Sequence, residues 1–225
     1  MNSITDDRLV LAADKALCRS HIYSLLASGF GYPDESGYQG FSDGKFIDEI
    51  RQELGVCSPE LLEHFNEVLA PGLKLACSRE VFESQFLSAF ETNMPSPSAS
   101  LNEGVHIFKS DRPNLLLELK GFYSNFGLQV DSKGNELEDT LTAELDFMQF
   151  LALKQAQAHL EGMSADAYKL AQKDFLERHL CAWLPLVRRE IAEKVTTPFF
   201  VTLAEFAESF ALANLRELKE ELAGC

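Results

Sequence analysis

Apolar residues recur along the chain at steps of three and four, the spacing that places side chains on one face of an α-helix. The stretch "SREVFESQFLSAFE" shows this clearly, with one apolar face made by Val81, Phe82, Phe86, Leu87 and Phe90. The sequence has no convincing run of alternating apolar and polar residues, which is the pattern typical of strands. The pattern therefore predicts an all-α helical bundle of about eight to ten helices.

Polar residues and glycines divide this pattern into helices. Gly127 is expected to end one helix in a left-handed conformation. Asp139 is predicted to cap the start of the next helix, and Thr202 with Glu205 forms a capping-box pattern for the last one. A Pro/Ser-rich loop near 93–110 is long for a compact domain, which indicates a functional or mobile connection.

Chain length and composition indicate one domain over residues 1–225. With 225 residues and 46% hydrophobic content, the chain can bury one substantial core. Its sequence has no apolar run long enough to span a bilayer and no signal-peptide pattern at the start, which predicts a soluble cytoplasmic protein without membrane insertion. The five cysteines are scattered and odd in number, so we expect reduced thiols rather than a disulfide framework.

The formal charge of −15 restricts the partners. Nucleic acid and anionic lipid are not expected, because each phosphate contact needs a basic group on the protein. A partner with a basic segment is the natural complement of this charge.

Candidate catalytic and metal sites in the sequence lack their usual context. "GFSDG" matches the nucleophile elbow around Ser42, but that motif follows a buried strand, which is not predicted here. "EGVH" places Glu103 and His106 at a spacing used by di-iron bundles, yet only once and within the loop. We therefore expect no catalytic residue, no metal and no cofactor.

Two other stretches are more informative. In "FLERHLCAWLPLV", the residues Phe175, His179 and Trp183 fall on one stripe of a single helix, which predicts a neutral core histidine satisfied by a buried carboxylate or a carbonyl. Pro185 predicts a kink or helix boundary near residues 181–184.

The second stretch, "NELEDTLTAELDFMQFL", gathers acidic residues around a helix start, where the helix dipole favours negative charge. Asp139 and Glu144 are five apart, so they do not form a tight carboxylate pair on one helix. Two interpretations remain open: a capped and solvated first turn, or an electronegative docking patch.

Together these stretches resemble the signature regions of the TorD/DmsD/NarJ family of redox enzyme maturation chaperones. That family carries E-x-P-D-H-x-x-x-E-L-x-F-M, and residues 136–148 read "ELEDTLTAELDFM". It also carries F-L-x-x-H-L-x-x-W, which is matched outright by Phe175, Leu176, His179, Leu180 and Trp183. "YSLLASGFGYP" and the Pro-rich loop with its following glutamate are similar to the family's first helix and loop.

The resemblance implies a non-catalytic cytoplasmic chaperone. Such a chaperone binds the twin-arginine signal peptide or the apoprotein of a molybdopterin oxidoreductase catalytic subunit, and holds it until the cofactor is inserted. The implied client-binding residues are Glu136, Glu138, Asp139, Thr140 and Glu144, and the implied structural motif is Phe175, His179, Leu180 and Trp183. The resemblance also leaves open a monomer or a helix-swapped homodimer.

Two positions depart from the family motif: Glu138 replaces its proline and Thr140 its histidine. They suggest a divergent subgroup that serves a different client. Two other classes remain as alternatives, an all-α enzyme using Ser42 or a metal at His106, and a structural subunit of the reductase.

Overall fold

Helices account for most of the chain that the structure, a computed structural model, describes. It describes residues 3–92, 97–107, 111–129 and 137–223, with side chains from residue 8 onward. The helices are α1 (Ser3–Phe30), α2 (Glu35–Ser42), α3 (Lys45–Cys57), α4 (Pro59–His64), α5 (Arg79–Phe86), α6 (Glu103–His106), α7 (Arg112–Asn125), α8 (Leu141–Leu160), α9 (Asp166–Arg178), α10 (Leu180–Lys194) and α11 (Pro198–Ala223). Two π-helical segments, Phe65–Leu69 and Leu87–Glu91, continue α4 and α5.

The predicted all-α fold is confirmed. Within the described residues there is no strand, and β-type pairing is limited to one isolated bridge between Asn102 and Thr140. Eleven α-helices are present there, rather than eight to ten, because short helices such as α4 and α6 have only six and four residues. None of the described helices is long and apolar enough to cross a membrane.

The centre of the bundle is the pairing of α1 with α8. Small residues, including Ala16 and Ala152, are fully buried in these two helices and let their backbones approach closely. The Ser20 hydroxyl donates to the carbonyl of Gln149 at 2.9 Å, which satisfies a buried polar group at the contact. Close packing of these two long helices gives the other elements a common core to cover.

Phenylalanine side chains build a second part of the core around the start of α11. Phe200 is fully buried and stacks on Phe82 of α5, with ring centroids 5.2 Å apart and an interplanar angle of 17°. Edge contacts from Phe86 and Phe90 complete its surroundings. The sequence "TTPFFVT" thus anchors α11 against α5 and the π-helical segment that follows it.

Two predicted helix boundaries have different outcomes. Gly127 has a φ of 75° just after α7, as expected for a left-handed helix end. The capping box at Thr202 is wrong, because α11 already begins at Pro198, a residue suited to the first helical turn. Thr202 instead packs so closely on Gly72 that a Cβ there would lie 2.1 Å from its hydroxyl oxygen.

The Pro/Ser loop predicted near 93–110 contains the short helix α6. Residues 93–96 and 108–110 lie outside the described part of the chain. The described part runs from 97 to 107 and lies against the start of α8 and against α10. This places Glu103 and His106 beside the two signature stretches.

We expect Phe200→Ala to reduce the free energy of unfolding by about 3 kcal/mol or more, because it leaves a cavity among packed rings. Denaturant unfolding would measure the change. Leu212→Ala, in the same helix but 46% exposed, is the control and should change stability by less than about 0.5 kcal/mol. Equal losses in the two variants would contradict the assigned core.

Candidate functional site

Two segments distant in sequence run side by side at the start of α8. The Glu103 amide donates to the Asp139 carbonyl at 2.9 Å, and the Leu141 amide donates to the Leu101 carbonyl at 2.8 Å. These bonds satisfy backbone groups that a loop would otherwise bury unpaired. They also direct the side chains of Glu103, Asp139 and Glu144 into the protein.

Thr140, rather than Asp139, caps α8. Its hydroxyl oxygen accepts from the Ala143 amide at 3.2 Å, the geometry of an N-cap. The prediction of Asp139 as the cap is therefore wrong by one position. Thr140, which stands where the family motif has histidine, thus stabilises the start of α8 as its N-cap.

Asp139 is fully buried and bound to Arg112 by two hydrogen bonds of 2.9 Å each. Its carboxylate also accepts from the Gly104 amide at 3.2 Å and from the Asn102 side chain at 3.3 Å. A planar guanidinium facing a carboxylate is a strong, directional arrangement. Asp139 thereby ties α7 to the segment that precedes α6.

Glu144 is also fully buried, and its Oε2 accepts from the indole N–H of Trp183 at 3.0 Å. Burial, followed by the nearby charge of Glu103, raises the pKa of Glu144 well above its usual value. Both open interpretations, the solvated first turn and the docking patch, placed these acids in solvent, whereas neither Asp139 nor Glu144 presents its side chain there.

His179 lies between α9 and α10 rather than inside one helix. Its backbone angles, φ −120° and ψ −96°, end α9 at Arg178 and let α10 start at Leu180. The boundary expected near 181–184 therefore falls earlier, and Pro185 is accommodated within α10. The predicted single helical stripe is replaced by a break with the histidine at its corner.

The His179 side chain is buried, as predicted, and it faces two carboxylates. Its Nδ1 lies 3.1 Å from Oε2 of Glu103, and its Nε2 lies 3.3 Å from Oε1 of Glu118 on α7. The ring also packs against Phe122 and Phe175, with centroids 5.4 Å and 4.9 Å away. Glu103 is therefore the partner that connects α6 with the break between α9 and α10.

Trp183 completes the site. Its side chain is fully buried, and the imidazole of His106 stacks on it with centroids 5.5 Å apart. Phe175 and Leu180 are fully buried as well. The F-L-x-x-H-L-x-x-W stretch thus lies in the core with its polar groups turned towards Glu103 and Glu144.

We define the buried acidic cluster as Glu103, Asp139 and Glu144, each 0% exposed. Sequence reasoning found Asp139 and Glu144, treated Glu103 as half of a metal motif and as the glutamate after the Pro-rich loop without giving it a role, and missed Arg112. The resemblance to the family's glutamate after the Pro-rich loop was the available signal for Glu103. These residues link α6, α7, α8 and α10 by charged and polar contacts.

The remaining predicted binding residues lie at the edge of this cluster. Glu138 and Thr140 are partly exposed, and the Glu138 carbonyl accepts from the Tyr123 hydroxyl at 2.8 Å. Glu136 lies outside the described residues. The structure therefore brings four of the five predicted residues together, two inside and two at the surface.

The alternative chemistries gain no support from the geometry. Ser42 is exposed at the end of α2, where its hydroxyl donates to the Gln39 carbonyl. His106 is used for stacking and lies 2.8 Å from the Ser100 carbonyl. Over the described ranges, His, Cys, Asp and Glu residues form no group that could hold a metal ion.

An all-α fold with polar groups of two signature stretches buried against each other fits the redox enzyme maturation chaperones. The chain belongs to the nitrate reductase delta subunit family, whose model matches residues 51–189. The resemblance to the TorD/DmsD/NarJ chaperones is thereby confirmed.

The chain is similar to several named assembly chaperones. It is 60% identical over 222 residues, 99% of both chains, to the perchlorate reductase assembly chaperone protein of Dechloromonas aromatica (strain RCB). It is 28% identical to the selenate reductase assembly chaperone protein of Thauera selenatis, over 93% of this chain and 92% of that one. About half of the chain also matches chaperone protein TorD of Vibrio parahaemolyticus, at 27% identity. These relatives are named assembly chaperones and not catalysts, which with the family match makes the chain a chaperone rather than an enzyme.

We expect Arg112→Ala to lower the free energy of unfolding by roughly 2 kcal/mol, because it leaves the buried Asp139 carboxylate without its cation. Denaturant unfolding would measure the loss. Arg51→Ala is a matched control, since Arg51 is similarly exposed but pairs with Asp48, whose side chain is 76% exposed. Its effect should stay below about 1 kcal/mol. An Arg112 variant as stable as the Arg51 variant would show that the buried pair contributes nothing.

His179→Phe is expected to cost about 2 kcal/mol, because the buried Glu103 loses its imidazole partner while the ring volume is kept. His21→Phe is the control, since His21 also faces a glutamate, Glu53, but is exposed. Thermal unfolding and client binding should be measured together. A variant of native stability that had lost client binding would overturn the architectural role of His179.

Proposed function

We propose that this chain is the assembly chaperone of a molybdopterin oxidoreductase catalytic subunit of the perchlorate reductase type. It holds that subunit in the cytoplasm until the molybdenum cofactor is inserted. The observation that carries the proposal is the 60% identity, over 99% of both chains, to a perchlorate reductase assembly chaperone protein. Similarity over the whole length supports a shared client class.

We further propose that the client contacts the protein beside the buried acidic cluster, near Glu138 and Thr140, and Glu136, outside the described residues, stays a predicted contact. Asp139 and Glu144 act there as positioning residues, because their carboxylates are enclosed by Arg112 and Trp183. The excess of acidic residues supports a basic client segment, such as a twin-arginine signal peptide, through charge-assisted hydrogen bonds.

The client test is co-expression with a catalytic subunit of this reductase type, followed by affinity purification from cells with and without molybdenum cofactor synthesis. We expect the chaperone to be retained on the apo-subunit and lost from the cofactor-loaded subunit. Equal amounts of both proteins in the mature, loaded enzyme would instead identify a structural subunit. No retention on either form would contradict the proposed client.

A second experiment separates signal peptide from mature apoprotein. Titration calorimetry would compare the client's signal peptide with a copy in which both arginines are alanine. We expect the native signal peptide to bind the chaperone and the altered copy not to bind it. Glu138→Gln should weaken it, while Glu161→Gln, an exposed acid at the other end of α8, should not. Binding of the apo-subunit without its signal segment, with no binding of the peptide, would move the contact to the mature body of the client.

A further inference from the structure

Two buried carboxyl groups meet in the buried acidic cluster. Glu103 of α6 and Glu144 of α8 are each 0% exposed and lie in hydrogen-bonding contact. Two carboxylates this close and this buried do not both ionise without a large electrostatic cost. Oε1 of Glu144 is buried and receives no hydrogen bond from a donor of the described residues. One proton held between the two carboxyl groups supplies the hydrogen bond that Oε1 of Glu144 lacks.

The other oxygens of the pair already have donors. Oε2 of Glu144 accepts from the Trp183 indole, and the carboxylate of Glu103 faces Nδ1 of His179 at 3.1–3.2 Å. A proton between the two acids therefore satisfies the free Glu144 oxygen without displacing a partner.

The neighbouring helices supply no arginine or lysine that pairs with Glu103 or Glu144 among the described residues. Arg112 of α7 is engaged by Asp139. Tyr123 of α7, whose pKa burial raises well above its usual value, stays a neutral phenol. Glu118 of α7 adds a further carboxylate beside the ring of His179.

Arg178 of α9 and His106 of α6 face other carboxylates. Arg178 pairs with Glu118 at the surface. His106 lies 3.7 Å from Glu190, at the outer side of Trp183. His179 is thus the one titratable cation-former in direct contact with the carboxyl pair among the described residues.

We propose that a single proton shared by Glu103 and Glu144 latches residues 100–107 over Trp183, and that loss of this proton to solvent releases those residues. We call residues 100–107 the covering segment. Its His106 stacks on Trp183, and its Glu103 enters the interior. A second negative charge there opposes the contact between Glu103 and Glu144 that holds the segment in place. Release uncovers the apolar surface around Trp183. This device does not depend on which client the chaperone serves.

The raised pKa of Glu144 determines how pH shifts the equilibrium between the latched and the released form of the covering segment. Between the usual value of 4.5 and the raised value, the closed form retains a proton that the open form gives up. The closed form therefore loses stability as pH rises through this interval. The segment is latched at low pH and released as pH rises through the raised pKa of Glu144.

Trp183, the only tryptophan of the chain, gives a direct readout. Acrylamide quenching of its fluorescence would be followed from about pH 5 to about pH 9, beside the helical circular dichroism signal. We expect quenching to rise several-fold while the helical signal stays constant. A quenching constant independent of pH would overturn the proposal, and so would a helical signal that falls in parallel, because that is global unfolding.

Glu144→Gln tests the shared proton itself. Its amide group donates to Glu103 as the proton does, and its oxygen still accepts from Trp183. We expect this variant to stay latched, with low quenching across the whole range. Glu161→Gln, an exposed acid that follows α8, should titrate like the native protein. A Glu144→Gln variant that titrates like the native protein would refute the latch.

Infrared spectroscopy of the native protein tests the same point without a variant. A protonated carboxyl band should persist near neutral pH, where solvent-exposed glutamic acids have lost their protons. It should disappear over the same pH interval in which quenching rises. Absence of the band near neutral pH would overturn the proposal.

Discussion

Burial of three carboxyl groups in one place is the constraint on which the site depends. A buried carboxylate is costly unless hydrogen bonds and an opposite charge surround it, so each member of the cluster dictates the position of its partners. Asp139 needs Arg112 of α7, Glu144 needs the indole of Trp183, and Glu103 needs His179. Satisfying all three at once brings α6, α7, α8 and α10 together.

This arrangement explains why two separated signature stretches occur in one chain. One supplies Asp139, Glu144 and the cap of α8, and the other supplies Trp183, whose indole donates to Glu144. Glu103, which belongs to neither stretch, faces the histidine of the second one. The family places them in assembly chaperones, which act on another protein rather than on a small substrate. A polar interior that orients surface residues such as Glu138 and Thr140 suits a binding protein.

The helices could be predicted from sequence because apolar spacing and the glycine at 127 act locally. The cap of α8 could not, because Asp139 and Thr140 are both good caps and the choice depends on Arg112, 27 residues away. Glu103 and His179 are 76 positions apart, a contact that local patterns do not reveal. Burial of His179 was predicted from its apolar neighbours, whereas the helix break at that residue depends on its tertiary partners. The client-binding residues stay a prediction.

The buried acidic cluster holds the 101–104 and 137–141 segments together as one unit. Hydrogen exchange of the Glu103 and Leu141 amides in Asp139→Asn measures this most directly, because these two amides bridge the segments. Loss of the Arg112 ion pair should reduce the protection of both amides to a similar extent, while core amides of α8 remain protected. Unchanged protection, or loss at only one of the two amides, would show that the cluster does not hold the two segments together.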